Sequence, residues 1–127
     1  MRRNKLQSIW ALALCGVLMT LVACTTSEGK TYGAAIDPKK GEAVELSKVF
    51  ANPKAYEGKN IIIYGETGMI CRTAGCWLML KNNANQILVQ FFTFTVRPSV
   101  GSKIRVQGVL KLQNDVPYLA ADGLEIL

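Results

Sequence analysis

The sequence predicts an all-β protein, a small five-stranded barrel carrying one short N-terminal helix. Two observations lead there. From Lys59 onward, short β-rich runs alternate with turn-forming residues, and no sustained helical period interrupts them. Strands this short bury too little surface as an open sheet, whereas closing them on themselves removes the edges and creates a core. The organisation expected is a leader over 1–23, a flexible tether over 24–43 and the barrel over 44–127.

The leader comes first. Met1-Arg2-Arg3-Asn4-Lys5 is basic with no acid, and an apolar run follows from Ile9 to Val22. That run is shorter than the ~20 residues a membrane-spanning helix needs and has the layout of a secretory signal. It ends in Leu21-Val22-Ala23-Cys24, which resembles the lipobox of bacterial lipoproteins. The resemblance implies cleavage after Ala23, lipidation of Cys24, and a place in the cell envelope, on the periplasm-facing side of the outer membrane. An ordinary secretory cut would instead leave Cys24 as a free thiol. The net charge of +6 invites a nucleic-acid reading, but Arg2, Arg3 and Lys5 supply three of those charges and leave with the leader. What remains is a modest surplus in a compartment poor in nucleic acid, so no nucleic-acid partner is expected.

Thr25 to about Glu42 is polar, rich in small residues and without an apolar period, and reads as a tether; Tyr32 and Ile36 are its candidates for docking on the domain. Val44 to Tyr56 predicts a short helix capped by Ser47, with Val49 and Phe50 on its apolar face and Asn52-Pro53 as its stop. The first strand runs from Asn60 to about Ile70, bent near Gly65 and Gly68. The second runs from Cys76 to Lys81 and ends in the turn Asn82-Asn83-Ala84-Asn85. The third spans Gln86 to about Phe92, and an irregular link from Thr93 to Gly101 contains Pro98. In the fourth, Lys103 to Leu112, apolar Ile104, Val106 and Leu110 alternate with polar Arg105, Gln107 and Lys111. The last begins at Pro117–Ala120 and resumes at Leu124–Leu127.

A long glycine-bent first strand, an irregular third-to-fourth link and a split last strand together resemble an OB-fold; an open antiparallel sheet packed on the helix is the alternative. A narrower resemblance rests on Cys71-x-x-x-Gly75-Cys76-Trp77, Val89-Gln-Phe91 and Gly101-Ser-Lys-Ile-Arg-Val-Gln-Gly108. These segments resemble the DUF4920 family of small envelope proteins and imply an OB-like core without implying an activity. The chain departs from that pattern at Phe92-Thr-Phe-Thr-Val-Arg-Pro98, where an arginine precedes the proline.

Cys71 and Cys76 are the only cysteines outside the leader region that ends at Cys24. If the first two strands form a hairpin, Arg72 to Gly75 is its loop and the cysteines oppose each other as the last cross-strand pair. Opposed residues lie about 4.5–5.5 Å apart at Cα, within the range a disulfide accepts. A structural disulfide is the leading expectation in an oxidising envelope. A second reading is a soft-metal site, in which Met69 shares a face with Cys71 and Cys76 and the three sulfurs hold Cu(I). Zinc fits poorly, because the chain has no histidine and no second cysteine pair in the domain. The third reading is thiol–disulfide redox, with Arg72 as the one visible stabiliser of a thiolate.

No enzyme constellation accompanies the pair. There is no histidine for general base work and no Gly-rich phosphate loop, and Ser99 and Ser102 have no base to activate them. The leading function is therefore a non-enzymatic binding or assembly module, with no catalytic residues. Its candidate patch is Trp77, Met79 and Phe92, facing a protein, peptide or glycan. The second strand is apolar on both faces, so alternation leaves open whether Trp77 and Met79 or Leu78 and Leu80 are buried; core packing is the alternative for each patch residue.

Overall fold

The structure is a computed structural model, and it describes residues 29–127. The leader, the lipobox cysteine Cys24 and residues 25–28 lie outside the described residues.

Among the described residues, seven strands and two short helices follow in order: β1 (Lys30–Gly33), β2 (Glu42–Ala43), α1 (Leu46–Ala51), α2 (Pro53–Tyr56), β3 (Asn60–Ile70), β4 (Trp77–Asn82), β5 (Asn85–Phe91), β6 (Lys103–Gln113) and β7 (Val116–Ile126). The five predicted strands are β3 to β7, and they close into a barrel. β3 pairs antiparallel with β4, β4 with β5, β6 with β7, and β6 with β3. The seam between β5 and β7 is the one parallel pairing in the ring, from Leu88↔Tyr118 to Phe91↔Ala121. This ring with its single parallel seam is a small OB-like barrel.

The interior is aliphatic. Ile61, Ile63, Leu78, Leu80, Ile87, Val89, Ile104, Val106, Leu110, Leu119 and Leu124 are shielded from solvent, and Leu46 and Val49 of α1 join the same cluster. α1 begins two residues earlier than a cap at Ser47 predicts. Its N-cap is Glu45, without a side-chain cap, and Ser47 lies inside the first turn. Leu46 thereby reaches the core, and Phe50 packs only at its edge.

The predicted last strand, interrupted after Ala120, is one continuous strand with a bulge. Gln107 faces Gly123 and Gly108 faces Ala121, so Asp122 is the extra residue. A bulge bends the strand and raises its local twist. Before it β7 pairs with β5, and after it β7 pairs with β1.

The expected tether is largely part of the domain. Lys30–Gly33 pair with Gly123–Ile126, Tyr32 packs against the core, and the Ala34 amide donates to the Asp122 carbonyl at 2.9 Å. Glu42–Ala43 add in parallel to Ile61–Ile62, and the Val44 amide donates to the Ile62 carbonyl. These are main-chain attachments, which leave no apolar period to read.

Gln107 also departs from the predicted pattern. The alternation of β6 placed it among the solvent-facing residues, yet it is 5% exposed. It does point away from the barrel interior, but the segment around Asp37 covers it. Its Nε2 donates to the Asp37 carbonyl at 2.9 Å and to Asn60 Oδ1 at 2.8 Å, and its Oε1 accepts from the Asp37 amide at 2.6 Å. Gln107→Ala is expected to cost about 1–3 kcal/mol, because it orphans these groups under cover. Proteolysis should then cut first around Asp37; an unchanged urea midpoint and cleavage pattern would contradict the clasp.

Candidate functional site

β3 and β4 end their ladder at Ile70↔Leu78, after an irregularity between Thr67 and Ile70. One further bond, from the Cys71 amide to the Trp77 carbonyl at 3.1 Å, closes the loop. Cys71 therefore stands opposite Trp77, and the predicted Cys71–Cys76 cross-strand pair does not form. Cys76 instead looks to the other neighbour of β4, accepting at its carbonyl from the Phe91 amide at 2.8 Å.

The cysteines meet because the loop curls back on itself. Gly75 makes that possible with φ +63°, a left-handed geometry that side chains resist. A Cβ at Gly75 would also press on Arg97 Cγ at 3.0 Å. The curled loop is pinned to the Thr93–Gly101 link: Val96 donates to the Gly75 carbonyl at 3.0 Å, and Arg97 Nη1 to the Arg72 carbonyl at 2.9 Å. Val96 itself is buried, so the link is anchored in the core.

Both cysteines are thiols, partly exposed, with the sulfurs 3.9 Å apart and the Cys76 S–H directed at Cys71 Sγ. Thr73 Oγ1 lies 3.7 Å from Cys71 Sγ. The two groups titrate in opposite directions. The backbone amide of Ala74, then the Thr73 hydroxyl, then the amides of Cys76 and Gly75 lower the Cys71 thiol to about 6. The hydrogen bond that Cys76 gives to Cys71, with desolvation and the neighbouring negative charge, raises the Cys76 thiol above its ordinary value. Amides converging on a turn form a small anion-holding concavity. The side chain of Arg72, expected as the stabiliser, has no part in this, and Arg72 is exposed. A cradle made of main chain leaves only Gly75 and Thr73 as traces in the sequence.

Met69 does not join the two sulfurs as predicted. It is 69% exposed and opens into a groove with Trp77, Met79, Leu88 and Gln90, a lining that includes neither cysteine. Among the described residues, no group of three or more His, Cys, Asp or Glu converges on a metal position.

The groove settles which face of β4 is buried. Leu78 and Leu80 point inward against Val89 and Ile87, leaving Trp77 and Met79 outward against Gln90 and Leu88. Phe92 continues the outward alternation of β5 and is 69% exposed, but it lies beyond the groove lining. Leu88, which belongs to the patch, was hidden in the sequence by the uniformly apolar run of β5.

No family model matches the chain, so the DUF4920 resemblance gains no support from that comparison. No curated protein matches it either. Among solved structures, the hypothetical protein ygiW from E. coli is similar in fold, with a TM-score of 0.52 at 12% identity over 76% of this chain and 100% of that one. At that identity the likeness bears on the barrel alone.

Proposed function

We propose that this protein is a lipid-anchored envelope protein whose barrel is a binding module for an apolar peptide segment of a partner protein. The outward placement of Trp77 and Met79 carries the reading. With Met69 of β3 and Leu88 of β5 they make an apolar strip across the outer face of β3, β4 and β5, and Gln90 is its one amide. Aromatic and methionine side chains suit a protein contact. A glycan would need more hydrogen-bonding groups beside the ring.

The anchor follows from Leu21-Val22-Ala23-Cys24. With β1 beginning at Lys30, only Thr25 to Gly29 separate Cys24 from the barrel. At about 3.3–3.6 Å per residue those five residues span at most roughly 20 Å, which bounds the distance from Cys24 to the first strand.

Removing the leader removes Trp10 and leaves Trp77 as the sole tryptophan, so its emission reports on the face directly. Titration with an array of extended apolar peptides should shift that emission to the blue for one class of sequence. Trp77→Ala should weaken binding of that class about 30-fold or more, as removal of a central aromatic anchor does. Binding that survives both Trp77→Ala and Met79→Ala, or a response to oligosaccharides alone, would overturn the reading. Cys24→Ser should release the protein from membranes, and unchanged membrane association would contradict the anchor.

A further inference from the structure

We propose that Cys71 and Cys76 form a reversible thiol–disulfide exchange site, with Cys71 the attacking sulfur and Cys76 the resolving one, acting on accessible disulfides in the envelope. This goes beyond the binding face, since neither cysteine lines the groove.

The geometry supplies what exchange requires. The sulfurs are 3.9 Å apart without a bond, in a loop whose outer residues Arg72, Thr73 and Ala74 are exposed. Drawing them to the ~2.05 Å of a disulfide needs a small shift of one loop, with no strand displaced. Access is one-sided in chemistry as well. Cys71 has the Thr73 hydroxyl at 3.7 Å and the loop amides around its sulfur, while Cys76 gives its proton toward Cys71. Redox dithiols usually gain this asymmetry from a helix N-terminus. Here a turn of backbone amides, shaped by Gly75, takes that place.

The electrons balance in two steps. The Cys71 thiolate attacks one sulfur of a substrate disulfide, forming a mixed disulfide and expelling the other substrate sulfur as a thiolate, which takes a proton from water. Cys76 then gives up its proton, and its thiolate attacks Cys71 Sγ. The second substrate sulfur leaves and is protonated in turn. The protein has lost two electrons and two protons and the substrate disulfide has gained both, leaving a Cys71–Cys76 disulfide. The reverse sequence oxidises substrate thiols. The amides favour the thiolate of Cys71 and so the reduced pair, which makes this disulfide easier to reduce than a structural one.

The test uses the full chain. Trypsin cuts after Arg72 and separates the two cysteines into different peptides, so each is read independently. After reduction and removal of reductant, a brief substoichiometric iodoacetamide pulse at pH 6 finds about half of Cys71 as thiolate, whereas Cys76, raised above its ordinary value, stays protonated. The weaker nucleophilicity of the lower-pKa sulfur takes back only part of that difference. Labelling of Cys71 should therefore exceed that of Cys76 by about tenfold or more. Equal labelling, or preference for Cys76, would overturn the assignment.

Oxidised glutathione and insulin then serve as the small and the polypeptide disulfide. Reduced protein should turn either or both over to thiols with formation of the Cys71–Cys76 disulfide, and the faster of the two identifies the source of substrate. No exchange with either, or a pair that stays oxidised at every ratio of reduced to oxidised glutathione, would reduce the site to a structural clamp. Cys76→Ser should trap a glutathione adduct on Cys71; because the labelling and exchange are read on the native chain, a folding defect in that variant does not shield the proposal.

Discussion

Replacing Leu78 by alanine is expected to cost the fold about 3 kcal/mol, while Met79→Ala, one residue on, should cost about 1 kcal/mol. Leu78 is fully buried between Ile70 of β3 and Val89 of β5. Its truncation loses the transfer energy of the side chain and leaves a cavity that a closed ring of strands cannot collapse, the situation in which Leu→Ala costs about 3–5 kcal/mol. Met79 lies across from Leu88 on the outer face and is only half-buried, so its truncation leaves an open-sided gap that solvent can fill rather than an enclosed cavity. Urea unfolding of the two variants reads the difference directly. Equal losses, or a larger one for Met79→Ala, would mean that β4 is turned over, and with it the binding face.

That experiment addresses the point at which sequence reasoning stopped. The order of β3 to β7 was legible, because each strand is β-rich and bounded by turn residues, although β7 was expected in two pieces and its bulge at Asp122 joins them. β6 even declared its inner face through Ile104, Val106 and Leu110. β4 and β5 did not, since Trp77-Leu-Met-Leu80 and Ile87-Leu-Val89 are apolar on both sides; only their registers against β3 and β7 decide the matter. The N-terminal attachments were illegible for a different reason. β1, β2 and the Asp37 turn are held by main-chain bonds and by the Gln107 amide, and such bonds impose no pattern on the side chains that bear them.

The site divides along the same line. Cys71, Cys76 and Trp77 stood out by residue type, and the structure gathers all three at one end of β4. Their roles depended on facts of backbone. The ladder sets Cys71 against Trp77 rather than Cys76, and the positive φ of Gly75 curls the loop so that the sulfurs approach from within it. Because Cys71 is hydrogen-bonded through its amide to Trp77, the thiol pair and the aromatic strip share one structural joint.

Gly108→Ala is expected to be as damaging as a core truncation, at about 3 kcal/mol, although it adds only one methyl group. At the bulge Gly108 lies against Ala120 and Ala121 of β7. An added Cβ would run into the Ala120 carbonyl oxygen and come within 2.7 Å of Ala121 Cα. These are backbone atoms of a strand paired on both sides, so no rotamer change relieves them, and overpacking of this kind costs about 1–3 kcal/mol or more. Gly101→Ala is the control: φ is +89° there but nothing lies within 4 Å, so only the conformational penalty of about 1 kcal/mol applies. Chemical denaturation of the two variants separates steric from torsional cost, and equal midpoints would show that the β6–β7 seam is looser than described. A heavy loss at Gly108 would reach the site as well. The same bulge ends the pairing of β7 with β5 at Phe91↔Ala121, and the Phe91 amide holds the Cys76 carbonyl. A strained seam should therefore loosen the cysteine loop before the barrel melts, and faster iodoacetamide labelling of Cys76 in Gly108→Ala under native conditions is the readout.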